Sequence, residues 1–397
     1  MIPLSHADER CGAKAANLAR LLREGFAVPA GFVIKDVSDD SWVHELESAL
    51  RGLGSGPFAV RSSAVGEDAV QASFAGQLHT TLGATTTAQV AVAVRRTATS
   101  GTSPQTAAYT ARTGRSPGPA VSVIVQRLVR AEVAGVLFTR QPVTGADQVV
   151  IEAARGLGDK VVDGSLTPQR WTIDGDALAT PDTVVETVLT AAQVRALGET
   201  GRRIEASFGC PQDVEWAIAD GTVWVLQARP ITTAAEPDGH AARNAGKTLV
   251  TGTPASPGTA TGLVRMIGGL DDFPRFRSGD VLVCRTTSPA WTPLLARAAA
   301  VVTEVGGVLS HAAIVAREFG IPAVTAADDA TTVLADRLWV VVDGSRGNVA
   351  LLGRPGTEIT PRSADEPDFP NRPPGAARRS DHGLCRHRTD SRSPERD

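Results

Sequence analysis

The strongest constraint on what this chain can fold into is a pair of breaks in its hydrophobic patterning. From Thr232 to Gly246 the sequence TTAAEPDGHAARNAG is small and polar with no apolar period, which predicts an interdomain linker, drawn here over residues 232–249. From about Arg354 to Asp397 the chain is rich in Pro, Arg, Asp and Ser and poor in large apolar side chains. Burial there cannot offset the entropy of ordering the backbone, so residues 354–397 are expected to form a disordered tail. Two stretches remain, 1–231 and 250–353, and each is long enough to close a core of its own. No solenoid-type repeat is present.

Composition removes several function classes. With 21% charged residues and a formal net charge of −3, the chain is no polybasic nucleic-acid binder. No apolar run approaches the roughly 18–20 residues that cross a bilayer. The opening Met1–Arg10 lacks the basic-then-apolar order of a secretory leader. Cys11, Cys210, Cys284 and Cys385 are scattered and form no CxxC, which speaks against a disulfide frame or a zinc site. A cytoplasmic protein without nucleic-acid or membrane partners is expected. Lys14, Lys35, Lys160 and Lys247 are the only lysines, so a lysine inside a motif says more than an arginine does.

Both structural periods occur. Ala15–Leu22 has helical spacing, and Ala120–Leu128 and Val133–Thr139 are runs suited to strands. Asp213–Ile218 and Val223–Arg229 flank Asp220-Gly221, a hairpin signal. In the second stretch, strands are predicted at Gly262–Met266, Val281–Cys284, Ala300–Thr303 and Trp339–Val342. A helix is predicted from His311 to Phe319, stopped by Gly320 and Pro322.

Chemistry concentrates in three places. In Thr303-Glu-Val-Gly-Gly-Val-Leu-Ser-His311 a strand ends, two glycines turn the backbone, and Ser310 caps a helix whose first turn carries His311. Free N–H groups and the positive helix end there favour an anion and lower an imidazole's pKa. A neutral imidazole is a nucleophile, and the neighbouring amides can hold a transferred phosphoryl group. The plainer alternative is a histidine that supports the cap. Local physics leaves both open.

The hairpin is the second place. Asp213 and Glu215 share one face of a strand, and Gln227 and Arg229 share one face of the next. A two-residue Asp-Gly turn would set Glu215 opposite Leu226 and split the polar groups. A three-residue loop, Asp220-Gly221-Thr222 with a glycine bulge, would set Glu215 opposite Gln227 and Asp213 opposite Arg229. The second register is predicted, because it brings oxygen ligands for Mg²⁺ beside a guanidinium for phosphate. An ordinary hairpin with one polar face is the alternative.

The third is Arg61-Ser-Ser-Ala-Val-Gly-Glu67-Asp68 followed by Ser73-Phe-Ala-Gly76-Gln77. Serines and glycines around an arginine suit a loop whose amides approach phosphate, although such loops also occur without a ligand. Lys14, in Cys11-Gly-Ala-Lys-Ala-Ala-Asn17, can neutralise a nucleotide phosphate or serve as a solvated helix lysine.

Taken in order, these segments resemble a known family. Gly12-Ala-Lys14-Ala-Ala-Asn-Leu18, Val28-Pro-Ala-Gly-Phe32, Val60-Arg-Ser-Ser-Ala64, Ser73-Phe-Ala-Gly-Gln77 and Gly135-Val-Leu-Phe-Thr139 are similar to the nucleotide domain of phosphoenolpyruvate synthase and pyruvate phosphate dikinase. Gly156-Leu-Gly158, Gln212-Asp-Val-Glu-Trp216 and Leu226-Gln-Ala-Arg-Pro-Ile231 extend the likeness. Pro254-Ala-Ser-Pro-Gly258, Trp291-Thr-Pro293, Gly306-Gly307, Ser310-His311-Ala-Ala and Gly320-Ile-Pro-Ala323 resemble that family's swivelling phosphohistidine domain. Their wording is closest to rifampicin phosphotransferase and its relatives. The resemblance runs from about residue 8 to residue 353.

It implies an α/β chain: an ATP-grasp nucleotide-binding domain over 1–231, then a small swivelling β/β/α phosphohistidine domain over 250–353. Lys14 and Arg61 would bind ATP phosphates, and Thr80 and Gln126 would line the nucleotide cleft. Glu215 and Gln227 would hold Mg²⁺ with Asp213 nearby, Arg229 would meet phosphate, and His311 would be phosphorylated. The implied reaction converts ATP, water and an acceptor to AMP, phosphate and phosphorylated acceptor.

Two departures from the family follow. Lys14 and Arg61 are closer in sequence than family members have them, which implies a reduced lid over ATP. No pyruvate-binding barrel or other acceptor domain is recognisable, so a small-molecule acceptor is expected between the two domains or on a separate acceptor-binding subunit. A ligase-like enzyme that activates an acid or alcohol for condensation, and a catalytically silent interaction module, are the alternatives.

Overall fold

A computed structural model describes residues 1–64, 78–114, 121–158, 161, 165–179, 187–231, 245–308 and 310–352. Glu67-Asp68, the Ser73–Gln77 motif, residues 232–244 of the expected linker and the expected tail lie outside the described residues. Met1–Pro355 forms one compact unit.

Among the described residues, three sheets take their strands from three successive stretches of chain. The first contains β1 (Ile2–Pro3), β2 (Gly31–Ile34), β3 (Phe58–Ala64), β4 (Thr80–Ala84) and β5 (Val121–Arg127), in the spatial order β1-β2-β5-β3-β4. The second contains β6 (Val133–Phe138), β7 (Gln148–Arg155), β8 (Gln169–Asp174), β9 (Ala177–Leu178), β10 (Gln212–Ala219) and β11 (Thr222–Pro230), in the order β11-β10-β6-β7-β8-β9. All pairings in these two sheets are antiparallel.

The third sheet contains β12 (Ala245–Thr251), β13 (Thr253–Ser256), β14 (Thr259–Met266), β15 (Val281–Cys284), β16 (Ala300–Thr303), β17 (Ala323–Thr325), β18 (Trp339–Asp343) and β19 (Asn348–Leu352). Its order is β12-β19-β18-β14-β15-β16-β17-β13, with β14 to β17 parallel. The parallel strands are short apolar runs such as Val281-Leu-Val-Cys284, buried on both faces, as strands covered on both sides require. Strand β12 begins at Ala245, inside the stretch assigned to the linker from its small polar residues. Its closing Leu249-Val250 packs against the core, and that gain outweighs the weak local propensity.

Helices fill the gaps between sheets. Helix α1 (Ala13–Arg23) buries Ala15, Leu18 and Leu21 against Val33 and Ile124 of the first sheet and Val214 and Ala228 of the second. Helices α2 (Ser41–Leu53) and α3 (Thr87–Ala98) cover the opposite face of the first sheet through Trp42, Leu46, Val90 and Val94. Helix α4 (Pro104–Thr113) places Tyr109 in the core of the third layer, where its hydroxyl donates to Glu318 at 2.7 Å. Helix α5 (Ala191–Phe208) packs Val194, Leu197 and Ile204 into the core of the second sheet, and Thr190 and Gln193 form a capping box at its start. In the third layer lie α6 (Thr292–Leu295), α7 (His311–Phe319) and α8 (Ala330–Val333). Helix α7 is buried on nearly every side, and such a helix needs cover beyond its own sheet.

Candidate active site

The hairpin β10–β11 turns through Asp220 and Gly221, with φ of 50° and 70°. Two consecutive left-handed residues make the tight turn whose twist matches antiparallel strands, and Asp-Gly is the pair that adopts it most readily. Ala219 therefore pairs with Thr222 and Trp216 with Val225. The register then shifts between Trp216 and Glu215, setting Glu215 opposite Gln227 and Asp213 opposite Arg229. The predicted register is present, but its expected cause was wrong. The turn has two residues rather than three, and Leu226 is the extra residue of a bulge within the strand.

The bulge matters because Arg61 reads it. From β3, Arg61 donates through Nη1 to the Leu226 carbonyl at 2.6 Å and through Nη2 to Glu215 Oε2 at 2.8 Å and Gln227 Oε1 at 2.6 Å. A carboxylate oxygen and an amide oxygen thus converge on one cationic nitrogen. That is a hard-oxygen pair of the kind Mg²⁺ accepts, with remaining positions left to water and phosphate. Burial opposes ionisation of Glu215, but the charges of Arg61, Arg229 and Lys14 outweigh it and hold its carboxyl below the usual range. Asp213 is placed differently. Its Oδ2 accepts from Arg229 Nε at 2.9 Å and faces Nη2 at 2.8 Å, with both side chains buried. Asp213 is thereby committed to Arg229 instead of joining the Glu215–Gln227 pair, and burial pushes its carboxyl above the usual range despite that partner. Among the described residues, no group of three or more His, Cys, Asp or Glu side chains could hold a metal ion.

Lys14 stands in the first turn of α1, buried and within electrostatic reach of Glu215. The start of α1 is pressed onto β3: Ser63 Oγ accepts from the Ala15 amide at 3.0 Å. Gly12, at φ 88°, caps the helix where a Cβ would lie 2.4 Å from the Ser63 carbonyl oxygen. Thr80 is exposed and directly opposite Arg61 in the β3–β4 register. Gln126 is buried, and its amide donates to the Pro29 carbonyl at 3.0 Å, so it braces the segment before β2. Polar side chains on a central strand need a partner, and the nearest backbone carbonyl supplied it.

His311 opens α7, and the Ser310 hydroxyl caps that helix by accepting from the Ala313 amide. His311 is 3% exposed. Thr287 Oγ1 lies 3.0 Å from Nδ1 and Thr292 Oγ1 lies 3.3 Å from Nε2. Thr292 donates its own hydrogen to the Pro289 carbonyl at 2.9 Å, so toward the ring its oxygen accepts. This assigns the ring hydrogen to Nε2 and leaves Nδ1 to accept from Thr287. Burial pushes the imidazole pKa down to about 3, which keeps the ring neutral at physiological pH. Its lone pair is nonetheless engaged by Thr287, so Nδ1 can attack an electrophile only after that bond breaks. Thr287 also lines a cavity of about 580 Å³ together with Arg285, Ser288 and Trp291.

The structure therefore gathers Lys14, Arg61, Glu215 and Gln227 into one cluster, pairs Asp213 with Arg229 beside it, and sets His311 in the third layer. Thr287 and Thr292, which hold the imidazole, had no signal of their own in the sequence, although Thr292 stands within the Trp291-Thr-Pro293 segment.

Comparison with known proteins identifies the family. The family described as pyruvate phosphate dikinase, AMP/ATP-binding domain, matches residues 39–186 and 177–248. The family described as PEP-utilising enzyme, mobile domain, matches residues 276–347. The chain belongs to the pyruvate phosphate dikinase and phosphoenolpyruvate synthase family. Within that family it is 34% identical over 415 residues to the probable phosphoenolpyruvate synthase of Methanothermobacter thermautotrophicus, covering 85% of this chain and 61% of the relative. It is 36% identical to the phosphoenolpyruvate synthase of Pyrococcus furiosus, over 73% of this chain and 40% of that protein. For the Aeropyrum pernix phosphoenolpyruvate synthase the figures are 31%, 90% and 58%. The chain thus spans 61% or less of the length of each of these relatives. Solved structures align more loosely. The D-alanine–D-alanine ligase of Bacillus anthracis complexed with ATP has a TM-score of 0.30 at 12% identity, over 56% of this chain and 54% of its own. No helix among the described residues is long and apolar enough to cross a membrane.

Proposed function

We propose that this chain is an ATP-dependent phosphotransferase of dikinase type with His311 as its phosphoryl carrier. The observation that carries this reading is the convergence of Glu215, Gln227 and Arg61 on one point, in a chain that also presents a capped histidine at a helix start. ATP binds beside this cluster, and its triphosphate draws Arg61 and Lys14. Glu215 and Gln227 would then hold Mg²⁺, which neutralises phosphate charge when bound.

His311 leaves its threonine partners and attacks the β-phosphorus. AMP departs, and water removes the γ-phosphoryl group as phosphate, leaving the β-phosphoryl group on the imidazole. The chain's own contribution is positioning and charge neutralisation, since phosphoryl transfer needs little other covalent help. The carried group passes to a small-molecule acceptor, held by this chain or by a separate acceptor-binding subunit. Pyruvate is the first acceptor to try, given the names of the relatives.

The test uses Mg·ATP labelled at the β-phosphate. Acid-labile, base-stable label on the wild type but not on His311→Asn, with AMP as product, supports the reading. ADP as the product overturns the dikinase assignment. A silent interaction module is the second reading, favoured by the burial of His311 with both ring nitrogens held. Absence of label and of AMP decides for it.

A further inference from the structure

Glu152, on β7 of the second sheet, is fully buried. One carboxylate oxygen, Oε1, accepts from Arg170 Nε at 3.1 Å and Nη2 at 2.7 Å within its own sheet. The same oxygen accepts from the backbone amide of Val308 at 3.1 Å. Val308 belongs to the loop that leads from β16 to the helix of His311. Its carbonyl accepts from Arg317 of α7 at 2.7 Å, so the residue is held at both ends. Its side chain sits among Val136, Phe138, Val150 and Ile231, at or next to the second sheet. Gly307 accepts from the Ser310 amide at 3.2 Å, and Ser310 caps α7. A short chain of hydrogen bonds therefore runs from Glu152 to the turn that carries the imidazole.

The fit is close. A Cβ on Gly307 would stand 2.3 Å from Glu152 Oε2, an oxygen that is buried and has no hydrogen-bond partner among the described residues. Gly307 is not held at a positive φ, so the contact, rather than the backbone, excludes a larger residue there.

We propose that Glu152 is a positioning residue for the phosphohistidine step: it fastens the Gly306-Gly307-Val308 loop to the nucleotide-binding layer and so sets where His311 stands when ATP is bound. The proposal rests on the phosphotransferase reading, and its own contact can be read without any turnover. Loss of Glu152 frees one end of the loop while leaving Lys14, Arg61, Glu215 and Gln227 in place.

The test compares Glu152→Ala, Glu152→Gln, Gly307→Ala and the Glu152→Ala/Gly307→Ala double variant in the full chain. Hydrogen exchange at the Val308 amide in the unliganded protein rises tenfold or more in Glu152→Ala and Gly307→Ala, and stays near wild type in Glu152→Gln, which keeps an acceptor. The rate of label uptake from Mg·ATP falls tenfold or more in Glu152→Ala and Gly307→Ala, with half-saturating ATP changed less than twofold. The double variant behaves like Glu152→Ala alone, because truncation makes room for the added methyl group. Additive losses, or wild-type label uptake in both Glu152→Ala and Gly307→Ala, overturn the proposal. If the wild type takes no label while Val308 exchange responds as described, the functional reading fails and the contact stands.

Discussion

Arg61 and Glu215 form an ion pair of 2.8 Å whose side chains are 12% and 25% exposed. A pair screened this little is worth more than a surface bridge, and removing one partner strands the other. Arg61→Ala is expected to lower unfolding free energy by about 1–3 kcal/mol in urea titrations without nucleotide. Phosphohistidine formation should fall at least 100-fold. Arg61→Lys keeps the charge but loses the fork that spans Leu226, Glu215 and Gln227, so it should recover stability better than activity. Equal recovery of both would contradict a role for the fork.

The buried imidazole makes stability depend on pH. Its pKa is about 3 in the fold against an ordinary 6.5. Between those values the unfolded chain binds a proton that the folded chain refuses, so stability rises with pH through this window and is fully present above it. Within the window this one group contributes a slope of up to about 1.4 kcal/mol per pH unit. Urea unfolding of wild type and His311→Asn from pH 4.5 to 7 should show the slope reduced in the variant. Parallel curves would place the ring in water.

Thr287 and Thr292 decide which nitrogen carries the hydrogen. Nitrogen-15 spectra of the labelled protein should show His311 as the Nε2–H tautomer at neutral pH. Thr287→Val removes the donor to Nδ1, costs about 1 kcal/mol, and should shift the Nδ1 resonance toward that of a lone pair without a donor. A wild-type ring protonated at Nδ1 would refute the assignment.

Gly12 combines a left-handed φ with a carbonyl where its Cβ would be. Gly12→Ala is expected to cost about 2–4 kcal/mol, seen as a fall in Tm, because backbone strain and a backbone clash add. Nucleotide affinity should drop with it, since Lys14 lies two residues further on. A Tm within a degree of wild type would contradict this packing of α1 on β3.

Much of this was legible in the sequence. The strands at Val281–Cys284 and Ala300–Thr303 and the helix at His311–Phe319 appear with the expected bounds, because apolar runs bounded by turn residues leave few alternatives. The hairpin was legible in result but not in cause: a bulge inside a strand has no local signature, whereas Asp-Gly does. The bond from Gln126 to the Pro29 carbonyl was not legible, because strand alternation gives a face and not a partner. Glu152 went unnoticed in an apolar run, since its partners Arg170 and Val308 meet it only once the layers assemble. One signal did exist. Ala312-Ala-Ile-Val-Ala316 is apolar all the way round its helix, and a helix with no polar side has neighbours on every side.

Among the described residues, each sheet draws its strands from one stretch of chain, with none borrowed from before or after. During synthesis from the amino end, every strand of one sheet has therefore left the ribosome before the first strand of the next appears. Hydrogen-bonded edges need never wait on distant partners still being made, and the histidine's layer is born last, onto a nucleotide-binding surface that already exists.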